Sequence, residues 1–304
     1  MENPLVALSN ELATAVAIAG ETVVSVHGRP RVHSSGVLWM PGVVVTADHT
    51  LRRDEDIRVT LPNGTTVPAE IAGRDSGTDL AVLKLEDQCT PAAKPTEPNP
   101  LKAGNLVLAV GRSHETGVNA ALGVLSTVSG PWHTWRGGMI DQFLRLDVGL
   151  YPGASGGAVV DATGALIGIA TGGLSRTSAL AIPRVTIARV VEAILKSGHV
   201  ARGYLGIGLQ PVGIPEHLRT QLGISGKTGL IVLSVEEQAP AGRAGMVIGD
   251  VLLALNGNAV SDTDDVQAVL GPEFVGKDVA ASVLRGGTRA EFPITIGERP
   301  QRRG

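Results

Sequence analysis

Residues 43–50 read Val43-Val-Val-Thr-Ala-Asp-His-Thr50, a β-branched run that ends on a histidine. Three valines and a threonine suit a pleated, half-buried strand, so His49 stands where a strand gives way to a turn. The same pattern extends outward. Runs rich in Val, Ile or Leu fall at 22–27, 36–39, 57–61, 67–72 and 80–85, separated by Pro41-Gly42, Asn63-Gly64 and Asp75-Ser76-Gly77. Asn63-Gly64 suits a tight hairpin in which both central residues take positive φ. Residues 91–100 hold Pro91, Pro95, Pro98 and Pro100, which predicts a stiff extended connector. A second group of runs follows at 106–110, 120–127, 142–147, 157–161, 165–170 and 179–183. Short strands at regular spacing with turn signals predict barrels or sandwiches.

Helices bracket this region. Leu5, Leu8, Leu12, Ala15 and Val16 recur at helical spacing, and so do Ile187, Val190, Val191, Ile194 and Leu195 within 185–197, where Gly198 is the stop. Residues 200–298 start afresh, with strand runs at 205–210, 229–235, 251–255, 278–284 and 290–296 and helical segments at 239–245 and 262–270. The chain is therefore expected to be mainly β, with a first domain over 1–199, a second over 200–298 and a disordered basic tail over 299–304.

Composition removes several classes. Of the 304 residues, 43% are hydrophobic and 18% charged, too apolar a mix for a disordered chain. The 40 glycines follow no three-residue period, which excludes collagen. A net charge of −3 gives no electrostatic footprint for nucleic acid. Cys89 is the only cysteine, so no intrachain disulfide forms, and it reads as a linker thiol near solvent. The segment Met1-Glu-Asn-Pro4 has no basic region and no run of 18 apolar residues occurs. The expected compartment is the cytoplasm as the chain stands, or the periplasm or exterior if a leader was removed. No ligand cluster or phosphate loop appears, so no metal and no cofactor are expected.

Chemistry concentrates at Tyr151-Pro-Gly-Ala-Ser-Gly-Gly-Ala158. A serine enclosed by glycines can sit on a tight turn with its hydroxyl exposed. The N–H groups of Gly153 and Ser155 can then aim at one point, as an acyl-transfer site requires. Asp79 opens the apolar run Leu80-Ala-Val-Leu83 and offers a carboxylate able to orient His49. The order His, Asp, Ser is that of the chymotrypsin class. His49 and Asp79 precede the proline-rich connector and Ser155 follows it, so the site is expected between two barrels. Asp75, the nearest rival carboxylate, suits a turn. His27, His33, His114, His133, His199 and His217 read as surface or packing residues.

The chain resembles the HtrA family of trypsin-like serine proteases (DegP-like) with a C-terminal PDZ domain, from about residue 20 to 298. The resemblance rests on Thr46-Ala-Asp-His49, Arg74-Asp-Ser-Gly-Thr-Asp-Leu-Ala-Val-Leu-Lys84, Gly153-Ala-Ser-Gly-Gly157, Ala181-Ile-Pro183, Arg202-Gly-Tyr-Leu-Gly-Ile207 and the segment 240–250. It implies a chymotrypsin-like double β-barrel followed by a PDZ domain, and an ATP-independent endopeptidase that degrades misfolded or damaged proteins. The triad it implies is His49, Asp79 and Ser155, with the oxyanion hole at Gly153 and Ser155.

Ala154, Ala158 and Gly111-Arg-Ser113 depart from the family's usual residues. Ala154 also excludes a zymogen switch that needs a carboxylate beside the serine. The resemblance implies a homotrimer, although the opening helix lacks the aromatic residues of family trimers. Gly149, Leu150, Leu180 and Ile182 are expected to wall an apolar pocket without charge, favouring cleavage after small or medium apolar residues, because an unpaired lysine there would be costly to bury. Trp132 and Trp135, in residues 130–138, either cap a barrel end or form a sensor loop. In the second domain the N–H groups of Leu205, Gly206 and Ile207, after Tyr204, are expected to receive a peptide's terminal carboxylate by strand addition. Ile207, Leu209, Val266 and Leu270 would line the groove. The expected partners are unfolded proteins and peptide C-termini; the rival reading is a proteolytically silent scaffold or holdase.

Overall fold

The computed structural model describes residues 3–30, 32–86 and 100–300. Cys89, the connector over 91–99 and the tail residues 301–304 lie outside the described residues. The chain divides into two compact units, Met1–Val200 and Ala201–Gly304.

The first unit opens with helix α1 (Pro4–Gly20), followed by β1 (Val23–His27), β2 (Ser34–Met40), β3 (Val43–Ala47), β4 (Ile57–Thr60), β5 (Thr66–Asp75) and β6 (Leu80–Leu85). These strands close into an antiparallel barrel of order β1-β2-β3-β6-β5-β4. Then come β7 (Leu106–Ser113), β8 (Gly117–Ser129), the short β9 (Trp132–His133) and β10 (Met139–Ile140), β11 (Phe143–Asp147), β12 (Ala158–Asp161), β13 (Leu166–Thr171), β14 (Ala179–Pro183) and helix α2 (Arg184–Ser197). The second barrel closes in the order β11-β14-β13-β12-β7-β8, while β9 and β10 pair with each other. The first unit is thus a pair of six-stranded antiparallel barrels, the chymotrypsin-like arrangement that the resemblance implies.

The valine-rich runs make sense on this frame. Successive strand residues point to opposite faces, and in β3 both faces are buried. Val44 joins Val24, Val26, Leu38 and Leu83 inside the first barrel. Val43 and Val45 face a second cluster that includes Val110, Val160 and Ile169 of the other barrel and Ile187, Val190 and Ile194 of α2. Each such burial contributes about 1.5–3 kcal/mol, so a run apolar on both faces pins β3, and the turn at its end, against both barrels.

Two local expectations change. Gly64 has φ of 86°, but Asn63 is not among the positive-φ residues. The loop closes instead with Gly64 N–H on Leu61 O and Leu61 N–H on Thr65 O, while Asn63 Oδ1 accepts the Thr65 N–H. A longer loop that needs one left-handed residue replaces the two-residue hairpin. Helix α1 buries only Ala15, Ala19 and Gly20, and leaves Leu5 74% and Leu8 44% exposed. Its helical spacing is real, but only the last turns reach the barrels.

The second unit contains β15 (Gly203–Tyr204), β16 (Ile207–Gly213), α3 (Glu216–Leu222), β17 (Thr228–Val235), α4 (Pro240–Arg243), β18 (Val251–Leu255), β19 (Asn258–Ala259), α5 (Thr263–Ala268), β20 (Asp278–Arg285), β21 (Thr288–Thr295) and β22 (Gly297–Glu298). Its sheet runs β16-β17-β18-β20-β21, which makes β16 an edge. Helix α5 begins at a capping box between Asp262 and Asp265 and is shorter than the 262–270 periodicity predicts. Helix α3 buries no residue, so it left no apolar period to find.

Candidate active site

β3 ends at Ala47, and the next residues form a single tight turn, Asp48–Thr50, that presents His49. The turn is tied down from below. Asp48 accepts from Arg74 at 3.0 Å and from Ser76 Oγ at 2.6 Å, and its N–H donates to Asp79 O at 3.0 Å. Asp79 adopts φ of 59°, a left-handed conformation that Asp tolerates better than most residues. That backbone aims its fully buried carboxylate back at His49. Oδ1 accepts the His49 N–H at 2.9 Å, and Nδ1 lies 2.8 Å from Oδ2. Thr171 Oγ1 also donates to Oδ2. Asp79 thus faces three groups at once, and an imidazole whose Nδ1 donates to it keeps Nε2 as the acceptor. Asp75 accepts from Gly77 N–H and Thr78 Oγ1 within its own turn.

Ser155 stands on the turn between β11 and β12, which passes through positive φ at Gly153 (95°) and Gly156 (88°). Ala154 N–H closes on Tyr151 O and Gly156 N–H on Ala170 O. The exit of β13 then gathers the parts. Thr171 holds Asp79, Gly172 N–H donates to Ser155 Oγ at 3.4 Å, and Gly173 lies flat against the histidine. A Cβ on Gly173 would stand 2.6 Å from His49 Nδ1 and 2.7 Å from Asp79 Oδ2, so no side chain fits there. Three consecutive residues thus touch the carboxylate, the serine and the imidazole in turn.

A trypsin-like peptidase domain model matches residues 34–169, and a PDZ domain model matches residues 203–296. A "Serine protease Do-like HtrA" of Lactobacillus helveticus is 31% identical over 86% of this chain and 68% of its own length. The chain belongs to the HtrA family. A "Probable periplasmic serine endoprotease DegP-like" of Brucella suis is 33% identical over 91% of the chain, but the chain spans only 55% of that relative. The solved structure "HtrA-type protease AlgW with decapeptide" superposes with a TM-score of 0.78 at 27% identity, covering 95% of this chain and 99% of that one.

Within this HtrA chain the expected pocket residues separate. Gly149 is exposed and Leu150 half-buried, whereas Leu180 and Ile182 are 3% and 0% exposed and belong to the core with Ile169 and Ile187. Both pack into the core from β14, whereas Gly149 and Leu150 keep accessible surface.

In the second unit β16 pairs with β17 on one side only. Leu205 and Val266 are 3% exposed core residues, while Ile207, Leu209 and Leu270 are partly buried at the margin of that core. Val266 packs within the core, and Ile207, Leu209 and Leu270 keep accessible surface at its margin. The Gly206 carbonyl is taken by Glu236 N–H and the Leu205 carbonyl by Ala241 N–H, which fixes the loop before β16. Burial and a hydrogen bond to Glu236 hold the Tyr204 phenol above its usual pKa.

The two tryptophans also part company. Trp132 packs edge-on against Phe143 at 5.3 Å, whereas Trp135 is 75% exposed under the Arg136 guanidinium. Their loop is fastened beneath Asp79 by Thr134, whose hydroxyl donates to Gly77 O at 2.7 Å. Among the described residues no group of three His, Cys, Asp or Glu side chains forms a metal site.

His27, His33 and His114 cluster, with ring centres 4.0, 5.1 and 6.0 Å apart. Burial first, then His33, His114, Arg53 and Arg58, push the pKa of His27 down from 6.5 to about 4. Burial also lowers His33, which faces His114 and Arg29, with Glu115 opposing. Unfolded chains therefore bind more protons than folded ones once the pH falls below 6.5, and stability drains away from there towards about 4. Nε2 of His27 lies 2.7 Å from Thr60 Oγ1, so we expect His27→Gln, which keeps a partner for Thr60, to lose less melting temperature than wild type between pH 7 and pH 5. Equal losses in the two proteins would refute this assignment.

Proposed function

We propose that this chain is a serine endopeptidase that cuts unfolded or damaged proteins after small or medium apolar residues, and that its PDZ domain captures peptide C-termini. The observation that carries the reading is the exit of β13, where Thr171, Gly172 and Gly173 meet Asp79, Ser155 and His49 in succession. Ser155 Oγ attacks the scissile carbonyl as Nε2 of His49 takes its proton. The N–H groups of Gly153 and Ser155 receive the oxyanion, and Asp79 stabilises the imidazolium through Nδ1–H. His49 returns the proton to the leaving amine, and water then hydrolyses the acyl-enzyme by the same route. The cycle draws on these groups and water, without nucleotide. Turnover requires the neutral imidazole, because a protonated His49 cannot accept the serine proton.

Apolar preference is supported by Leu150 beside uncharged Gly149. The open edge of β16 supports strand addition by a peptide, as does the decapeptide that accompanies AlgW in its solved structure. The Brucella relative, named as a periplasmic protein, supports work outside the cytoplasm. Exposed Leu5, Val6 and Leu8 on α1 support a homo-oligomer, measurable by light scattering.

A fluorophosphonate probe with a casein assay tests the reading. Wild type should take up label at Ser155 and degrade casein, while Ser155→Ala does neither. Equal casein cleavage by both proteins would end it. A wild type that binds unfolded casein without cutting it or taking label would show a silent holdase instead.

A further inference from the structure

We infer that Ser35 is a positioning residue for the oxyanion turn: from the first barrel, its hydroxyl holds the peptide between Gly153 and Ala154 so that the N–H groups on either side stay free for substrate. The inference rests on the proposed catalytic reading of Ser155. Ser35 lies in β2, is 0% exposed, and is separated from the nucleophile by more than a hundred residues of chain. Its Oγ–H donates to Gly153 O at 2.9 Å, and its N–H donates to Ser155 O at 3.2 Å. One residue thus takes the carbonyls of Gly153 and Ser155, while Ala154 O between them accepts the Gly157 N–H at 2.9 Å.

Each peptide plane carries a carbonyl on one side and an N–H on the other. The plane holding Gly153 O lies between the two planes that carry the Gly153 and Ser155 N–H groups. Gly153, at φ of 95°, puts little restraint of its own on that central plane. Its far end is fixed by Ala154 N–H on Tyr151 O, at 3.0 Å, and its near end by the Ser35 hydroxyl, the one side chain among the described residues that donates to it. Without that hydroxyl the plane is held only at its N–H end, and a turn ready to receive an oxyanion becomes one that must first be ordered. Displacing a poised group by about 1 Å can cost a hundredfold in rate.

Ser35 is itself held on every polar atom. Its Oγ accepts the Arg112 N–H at 3.0 Å, so its one hydroxyl proton is committed to Gly153 O. Its carbonyl accepts Thr46 Oγ1 at 2.6 Å. Arg112 extends the tie, with Nε on Val23 O at 2.6 Å and a terminal nitrogen on Gly20 O at 2.7 Å, where α1 runs into β1. Gly111 has no room for a side chain, because a Cβ there would lie 2.9 Å from Ser35 Oγ.

The test compares wild type, Ser35→Ala, Ser35→Thr and Thr46→Val by peptide hydrolysis, fluorophosphonate labelling rate and melting temperature. Ser35→Ala should lower kcat and the labelling rate together by about 10- to 100-fold with KM within about twofold. Ser35→Thr, which keeps the hydroxyl, should recover most of the loss. Thr46→Val removes an equally buried hydrogen bond to the same residue without touching Gly153, so it should lower melting temperature while kcat stays within about threefold. Should Ser35→Ala fail to fold, Ser35→Cys fills the same space with a weak donor and should show the same split. Labelling of the Ser35 variant at the wild-type rate, or a loss matched by Thr46→Val, would overturn the inference. A wild type that takes up no label would take the catalytic reading down, and this inference with it.

Discussion

Ser155→Ala should lower kcat on a peptide substrate by about a million-fold, His49→Ala by a similar factor, and the double variant by no more than either alone. Residues that act as one unit lose the whole unit with the first member removed. The geometry binds them that way, since the segment that holds Asp79 also donates to Ser155 and packs flat on His49. Folding should barely register the serine change. Ser155 is half-buried, and among the described residues its hydroxyl has one long hydrogen bond, 3.4 Å from Gly172 N. The melting temperature of Ser155→Ala should therefore match wild type while turnover vanishes. Losses below a hundredfold, or losses that multiply in the double variant, would show that the serine and histidine do not share a proton.

Much of this site was legible because its members sit at the ends of strongly patterned strands. His49 follows a run buried on both faces, and Asp79 precedes Leu80-Ala-Val-Leu83, all four of which are buried. Packing fixed those strands, and the strands fixed where the side chains emerge. The residues that escaped notice act through hydrogen bonds across large sequence separations. Thr171 reaches Asp79, and Ser35 reaches Gly153, with no local pattern to flag either. Gly173 is one more glycine among 40 until the imidazole is seen to leave it no space. Leu180 and Ile182 pose the opposite problem: an apolar strand segment can meet a pocket or the core, and both are buried in the core cluster. Asn63-Gly64 marked a turn correctly, whereas loop length decided its type.

Asp79→Asn should lower kcat by about ten-thousand-fold with KM little changed, and for a reason the backbone dictates. Asn accepts the left-handed conformation as readily as Asp, so φ of 59° survives the substitution. The His49 N–H donates to Oδ1 at 2.9 Å, and an amide carbonyl can take that bond but an NH2 group cannot. The new side chain is thereby oriented with its NH2 where Oδ2 was, 2.8 Å from Nδ1 and beside Thr171 Oγ1. An NH2 facing Nδ1 makes that nitrogen the acceptor and places the imidazole proton on Nε2. The nitrogen meant to receive the serine proton is then already occupied. Thr171 adapts, since its hydroxyl can accept from the amide as well as it donated to the carboxylate. The melting temperature should accordingly move by only a few degrees. Turnover within tenfold of wild type would mean that Asp79 does not set the histidine tautomer. An unfolded variant would mean that the carboxylate's charge, and not its geometry, holds the turn that carries His49.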